Sequence, residues 1–300
     1  MNGLKVRSGK GFMYILFAFI IGIFWGELCT GSRFYKNAFA EDKKPIVENI
    51  VGDTPSAGSG ENIIDPKADS LLREMSYFLG SKYTYTFKAE MMFDKILSSG
   101  RRLQFSAEEK VFFQKPNKLQ VDYISDDGGH KFWYDGQNLT FVDFTSNLYS
   151  RVVMPNTVDQ FLNELLKEYG YSPPFSEFLF VDPYKIMIEN VKSGYYVGPS
   201  RIFGVKCQHL SFVEENIDWQ IWIEDGQRRI PRKLVITYKT IPGSPQFIAI
   251  LEDWIFDQRI TEFAFKPNSP IFAKESDLNT IMNGLKNNIG SVRGSGGNIK

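Results

Sequence analysis

The stretch Tyr83–Asp94, YTYTFKAEMMFD, decides the fold because its apolar and polar residues alternate along the chain. A period of two is typical of a β-strand with one buried face, and Phe87 and Met91 fall on its apolar side. The same alternation returns in the segments 103–113 and 119–123. The sequence therefore predicts an antiparallel sheet that begins near residue 83.

Turn sequences divide the chain after residue 123 into further short strands. Asp126–Gly129, Asp135-Gly136 and Ser146-Asn147 each stand between two apolar segments, which predicts consecutive hairpins up to residue 153. A helical interlude follows at about 158–190. Strands are then predicted at 205–212, 219–224, 233–239 and 247–254.

Helix signals flank the first strands and fill the interlude. Asp65 is a predicted N-cap followed by Pro66, and Gly80 marks the end of the first helix. Thr157 is a predicted cap for a second amphipathic helix that ends at Gly170. The fold class is therefore mainly β with a few short helices.

Both ends of the chain differ in composition from the middle. Residues 1–40 carry a basic start and the apolar run Phe12–Trp25, which predict a signal peptide cleaved before Glu41. Cleavage near Cys29 and an uncleaved inner-membrane anchor remain open alternatives. The expected organisation is completed by a flexible linker at 41–64, a folded domain at 65–272 and a flexible tail at 273–300.

Charge and reactive residues argue against several functional classes. Lys plus Arg and Asp plus Glu both total 35, so nothing indicates the basic surface that binds nucleic acid. His130 is interpreted as an exposed loop residue, and Cys207 as a buried, inert thiol. Cys207 and His209 share a strand face without further ligands at a metal-binding spacing. No catalytic residue, metal or cofactor is predicted, and the protein is not expected to be an enzyme.

The second face of the predicted sheet is unusually apolar. About ten large residues on it, among them Ile124, Phe144, Trp222 and Val235, need cover, and the available cover is the helices. So few helices do not easily fill a strongly curved sheet, which favours a part-closed barrel with an apolar interior under a helical lid. The alternative is a fully packed sandwich.

Seven sequence blocks resemble a bacterial family of predicted periplasmic proteins that is defined as a domain of unknown function. They are DPKA (65–68), KPNKL (115–119), FWYDG (132–136), SGYYVGP (193–199), CQHL (207–210), DWQIWIE (218–224) and PRKLVITY (231–238). That family is in turn similar to the lipoprotein carrier LolA, the receptor LolB and periplasmic regulators of an envelope-stress anti-sigma factor. The resemblance implies an unclosed antiparallel β-barrel, LolA/LolB-like, with a helical lid over an apolar cavity.

The functional prediction is a periplasmic carrier or sensor whose half-barrel binds a lipid or the acyl chain of a lipoprotein. The alternative is an envelope protein–protein interaction module with a filled core and an envelope protein as partner. The predicted cavity-lining residues, chosen from the regular apolar face and the lid, are Phe87, Met91, Phe105, Phe113, Tyr123, Phe141, Leu162, Leu166, Ile221 and Ile236. A register error of one residue would place the lining on the opposite face.

Overall fold

The computed structural model describes residues 63–97, 99–267 and 271–290, with side chains described up to residue 286. The predicted leader and nearly all of the predicted linker lie outside the described residues. At the end of that linker, Ile63 and Ile64 pair in parallel with Ser193 and Gly194. The first described residues thus contact a strand that lies much later in the sequence.

The described residues form thirteen strands and four α-helices. The strands are β1 (Ile63–Ile64), β2 (Thr84–Ile96), β3 (Arg102–Gln114), β4 (Lys118–Ser125), β5 (Gly128–Tyr134), β6 (Asn138–Asp143), β7 (Leu148–Val153), β8 (Ser193–Ile202), β9 (Val205–Val213), β10 (Ile217–Glu224), β11 (Pro231–Tyr238), β12 (Gln246–Phe256) and β13 (Lys274–Glu275). The helices are α1 (Pro66–Ser81), α2 (Val158–Tyr169), α3 (Pro183–Ile188) and α4 (Leu278–Gly290), with short 3₁₀ helices at Ser176–Leu179 and Glu262–Phe265.

All thirteen strands belong to one sheet, ordered β1-β8-β9-β10-β11-β12-β2-β3-β4-β5-β6-β7-β13. Two antiparallel meanders, β2 to β7 and β8 to β12, meet where β12 pairs with β2. The outer strands of the meanders, β7 and β8, pair with the two-residue strands β13 and β1 rather than with each other. The predicted mainly β, unclosed antiparallel architecture is confirmed.

The register brings apolar residues of neighbouring strands side by side on one face. Phe87 pairs with Val111, Val111 with Val121, Val121 with Phe132 and Phe132 with Phe141. Directly opposed residues of antiparallel strands point to the same face, so this row crosses five strands without a break. We call the face that carries this row the covered face and the opposite face the open face.

Helices lie on the covered face. The Phe161 ring of α2 stacks on Tyr134 with ring centroids 4.1 Å apart, and the Phe175 ring lies 5.9 Å from that of Phe87. The α1 helix buries the apolar stripe predicted from its spacing, and the side chain of Asp65 accepts hydrogen bonds from the amides of residues 67 and 68. Gly170 ends α2 in the left-handed conformation, at φ 60°. Both predicted helix starts are therefore confirmed.

The expectation that helices cover the apolar residues of the second face is wrong. Ile124 and Phe144 on the open face remain 60% and 52% exposed. Trp222 is instead shielded locally, because the His209 ring stacks on it at 3.9 Å and the Lys233 ammonium lies 4.6 Å from its centroid. Long polar side chains thus hide part of this face without a second layer.

Regular structure continues beyond residue 272, the predicted end of the folded domain. Beyond it β13 pairs with β7, and α4 follows with Leu278, Ile281 and Met282 buried in the main core. Lys286 Nζ donates to the carbonyl oxygen of Tyr169 at the end of α2 (2.9 Å). The apolar residues between 277 and 285 already allow a short helix within the predicted tail, and the helix is present over Leu278–Gly290.

The cap of α1 gives a direct test of the local helix argument. Replacing Asp65 by Ala leaves the amides of the first turn without their acceptor, and we expect the free energy of unfolding to fall by about 1 kcal/mol in urea titration. The matched control is Asp65→Asn, since Asn caps as well as Asp. Equal losses in the two variants would contradict the assigned role of the Asp65 side chain.

Candidate functional site

Eight of the ten predicted lining residues have very little accessible surface. They are Phe87, Met91, Phe113, Tyr123, Phe141, Leu162, Ile221 and Ile236, each at most 7% exposed. Phe105 and Leu166 are half-buried. All eight buried side chains belong to the main core, which they share with the helices on the covered face. In the structure these side chains therefore pack against other parts of the protein.

A ten-residue segment, Tyr171–Phe180, occupies much of the space on the covered face. Every one of its residues is buried, although only its four-residue 3₁₀ turn is regular. Buried irregular segments are uncommon because their backbone polar groups have few partners. We call Tyr171–Phe180 the plug. Its sequence, with Pro173-Pro174 and no apolar period, lies within the predicted helical interlude and does not indicate a buried irregular segment.

The plug is held to the sheet by aromatic contacts and by two buried hydrogen bonds. The Tyr85 hydroxyl donates to the carbonyl oxygen of Phe178 (2.6 Å), and the Tyr171 hydroxyl lies 2.7 Å from Nε2 of His130. Phe175 lies between the rings of Phe87 and Phe247, at 5.9 and 6.1 Å. These contacts connect the plug to both meanders of the sheet.

Phe175 carries backbone strain. Its φ of 61° and ψ of 14° place it in the left-handed region, which a bulky residue such as Phe seldom adopts. A conformation of this kind costs on the order of 1–3 kcal/mol and persists only when its surroundings enforce it. The contacts around Phe175 therefore hold the plug in a conformation that costs backbone energy.

His130 is buried, and its interpretation as an exposed loop residue is wrong. The residue lies in β5 at 2% exposure, between the rings of Tyr123 and Phe141. Burial lowers the pKa of His130 to about 3, so the imidazole is neutral at physiological pH. Burial also raises the pKa of Tyr171, whose protonated hydroxyl shares a hydrogen bond with Nε2 of His130. The two preceding glycines suggested a loop, but they form the start of the strand.

A polar row crosses the covered face beside the apolar one. Glu109 pairs with Tyr123, and Tyr123 pairs with His130, so their side chains share the covered face. Glu109 has no exposed surface, and neither carboxyl oxygen has a hydrogen-bond partner among the described residues. Burial, with a smaller contribution from the nearby charge of Glu177 on the plug, raises the pKa of Glu109 well above its usual value. The folded protein therefore keeps the carboxyl proton of Glu109 to a higher pH than an exposed glutamate does.

The sequence contained a signal for Glu109. Phe105, Ala107, Val111 and Phe113 follow one another at alternate positions of β3, and residue 109 is the gap in that series. Burying a carboxyl group without a partner costs roughly 1–3 kcal/mol, so the position is expensive for stability. A polar residue at an inward position of an apolar strand is the kind of exception that marks a functional or strained site.

The remaining reactive or polar residues considered for a site contact other side chains of the fold. Trp219 lies on the covered face and donates from Nε1 to Glu214 (2.9 Å), whose pKa burial raises to about 7. Cys207 is buried, as predicted, and His209 stacks on Trp222. Across the described ranges, no three His, Cys, Asp or Glu residues come together in a group able to hold a metal ion. In the same ranges no helix is long and apolar enough to span a bilayer.

Residues 68–278, more than two thirds of the chain, match the family model described as "Predicted periplasmic protein (DUF2092)". The chain belongs to this family. The family resemblance drawn from the seven blocks is thus confirmed, and it places the chain among predicted periplasmic proteins. No curated protein is significantly similar to the chain in sequence.

Several solved structures are similar to this member of the family. LprF from Mycobacterium bovis is 12% identical with a TM-score of 0.40, covering 63% of this chain and 93% of its own. The lipoprotein LppX of Mycobacterium tuberculosis is 12% identical with a TM-score of 0.38, covering 66% and 98%. A LolA superfamily protein from Nitrosomonas europaea is 8% identical with a TM-score of 0.33, covering 67% and 98%. These likenesses are distant, and none of them assigns a ligand to this chain.

The ionisation of Glu109 predicts a pH-dependent stability. Its pKa in the folded protein lies above the unfolded value of 4.5, so the folded state keeps a proton that the unfolded state releases as the pH rises. The contribution of Glu109 to the free energy of unfolding is therefore largest below about pH 4.5. Above that pH it declines by up to about 1.4 kcal/mol per pH unit. The variant Glu109→Gln, which does not titrate, lacks this contribution.

Urea unfolding of the wild type and Glu109→Gln between about pH 5 and 8 measures the difference. We expect the wild type to lose stability relative to the variant with every increase in pH. Stability curves that stay parallel over this range would contradict the burial of a protonated Glu109. Because both proteins contain the same His130 and Glu214, the contributions of those groups cancel in the comparison.

Proposed function

We propose that this protein is an exported periplasmic carrier or sensor that binds an apolar ligand, a lipid or the acyl chain of a lipoprotein, on the covered face. The observation that carries the proposal is the plug, a fully buried irregular segment on a continuous apolar surface. Binding requires the plug to leave, after which an acyl chain takes the place of its side chains. No catalytic group is needed for such a role.

The free energy gained by burying an acyl chain is of the same order as the cost of exposing the side chains of the plug. Burying an acyl chain stabilises by roughly 0.8 kcal/mol for each methylene, or on the order of 10 kcal/mol for a whole chain before association costs. Exposing the large apolar side chains of the plug costs about 1.5–3 kcal/mol each. The plug carries five of them, namely Tyr171, Phe175, Phe178, Leu179 and Phe180. A ligand that replaces these contacts thus shifts the balance without a large net cost.

We expect export to depend on the predicted signal peptide at 1–40. The family description as predicted periplasmic proteins supports this location. In the periplasm an apolar ligand needs a protein to shield it from water between the two membranes. N-terminal sequencing of the secreted form tests the cleavage site before Glu41, and a start at Met1 would contradict it.

The filled interior also favours a second function. If the plug never leaves, the domain is an envelope interaction module with a permanent core, and its surface binds a protein partner. The two functions differ in one property, namely whether the plug opens in the native protein. Ligand binding and its dependence on the plug's hydrogen bonds therefore separate them.

The hydrogen bond between Tyr85 and the plug provides a selective test. Tyr85→Phe removes the hydroxyl that donates to the carbonyl oxygen of Phe178 and keeps the aromatic ring. The closed form loses on the order of 1 kcal/mol, so the open fraction and the apparent affinity for a fluorescent fatty-acid probe should rise about fivefold. The measurement is a fluorescence titration of the purified protein, as processed by the exporting cell.

Tyr196→Phe is the matched control. Its hydroxyl donates to Gln208 within the β8–β9 hairpin (2.6 Å), and Tyr196 is not part of the plug contact. We expect the control to bind the probe as the wild type does. Absence of probe binding in all three proteins would contradict the ligand-binding function and favour the interaction module. Equal affinities in all three would contradict opening of the plug.

A further inference from the structure

The unpartnered carboxyl group of Glu109 lies where a ligand would replace the plug. Its strand partners on the covered face are Ala89, which is small, and Tyr123. The plug approaches from the other side, since Glu177 and Tyr171 are close enough for their charges and that of Glu109 to influence one another. Glu109 is thus a buried polar group, without a described hydrogen-bond partner, inside the surface proposed for the ligand.

The surroundings of Glu109 select against negative charge. Its polar neighbours are the hydroxyls of Tyr123 and Tyr171, the neutral imidazole of His130 and the carboxyl group of Glu177. Among the described residues Lys95 is the one buried cation, and it forms an ion pair with Asp127. An anionic head group would therefore meet carboxyl groups without a compensating cation.

A ligand group that donates hydrogen bonds interacts favourably with Glu109, unlike an anionic head group. A hydroxyl or a primary ammonium group gives a hydrogen to the carboxyl oxygens of Glu109, which removes the cost of leaving them unpaired. An ammonium group also favours the ionised carboxylate, with the carboxyl proton passing to solvent before the site closes. The same geometry thus accepts either donor, whereas a carboxylate would add a negative charge beside the carboxyl groups of Glu109 and Glu177.

We propose that Glu109 binds the polar group of the apolar ligand, and that this group is a hydrogen-bond donor without negative charge, a hydroxyl or a primary amine. The inference rests on the proposed function, because it assigns the polar end of the ligand that occupies the covered face. It gives the expensive burial of Glu109 a role in ligand selection. A buried water molecule held by the same oxygens is the competing explanation, and it predicts no selectivity.

Competition among amphiphiles of equal chain length tests the assignment. Tetradecanol, tetradecylamine and tetradecanoate displace a fluorescent apolar probe from the wild-type protein at neutral pH, each below its aggregation concentration. We expect the alcohol and the amine to compete about tenfold more strongly than the carboxylate. In Glu109→Leu this preference should fall to about twofold or less while probe binding persists.

Two further variants refine the readout. Glu109→Gln keeps a donor and an acceptor but does not ionise, so the alcohol should compete as in the wild type and the amine should lose its advantage over the carboxylate. Glu108→Gln is the matched control on the open face, where Glu108 pairs with Lys88 and Lys110 at the surface. It should compete as the wild type does. Urea unfolding confirms that each variant is folded.

The results that would contradict the role of Glu109 differ from those that would contradict apolar-ligand binding. Equal competition by the three amphiphiles in the wild type would overturn the role of Glu109 and leave apolar binding intact. Selectivity that persists unchanged in Glu109→Leu would likewise overturn it, because the preference would then arise from other residues of the site. A wild-type protein that binds neither the probe nor any amphiphile would overturn the proposed function itself.

Discussion

The packing of the plug against the apolar row of the covered face is the contact on which the rest of the structure depends. A sheet of thirteen strands exposes one face to its helices, and that face must be removed from water. The helices reach only part of it. The remaining area is covered by Tyr171–Phe180, an irregular segment whose burial leaves Phe175 strained and Glu109 without a partner. Stability and function therefore compete at one place in the molecule.

The sheet around the plug is held together by contacts that do not involve the plug. The two meanders are joined through the long β2–β12 pair, and β1 and β13 protect the outer strands from pairing with other chains. The sheet can thus remain intact while the plug changes its position. Side-chain hydrogen bonds of Tyr85 and Tyr171 tie the plug to strands β2 and β5. An irregular insert on a continuous sheet is the physical basis of the proposed carrier or sensor.

Much of the fold was predictable because its signals are local. Alternation from Tyr83 onward, the turn residues between hairpins and the cap at Asp65 each act within a few residues, and each is confirmed. The face that helices cover, the burial of His130 and the course of the plug depend on contacts between distant segments. Pro173 and Pro174 interrupt any period, and Gly128 and Gly129 resemble a turn until their pairing with β4 is known. The C-terminal helix was underestimated because a short apolar series preceded a polar tail.

Backbone hydrogen–deuterium exchange of the plug tests the central claim most directly. The account predicts that amides of Tyr171–Phe180 exchange faster than those of β2–β6, and that adding tetradecanol accelerates the plug further while the strands stay protected. Such a result would show a plug that opens and is displaced by an apolar molecule. A plug that exchanges as slowly as the strands, with no response to the added amphiphile, would contradict the account.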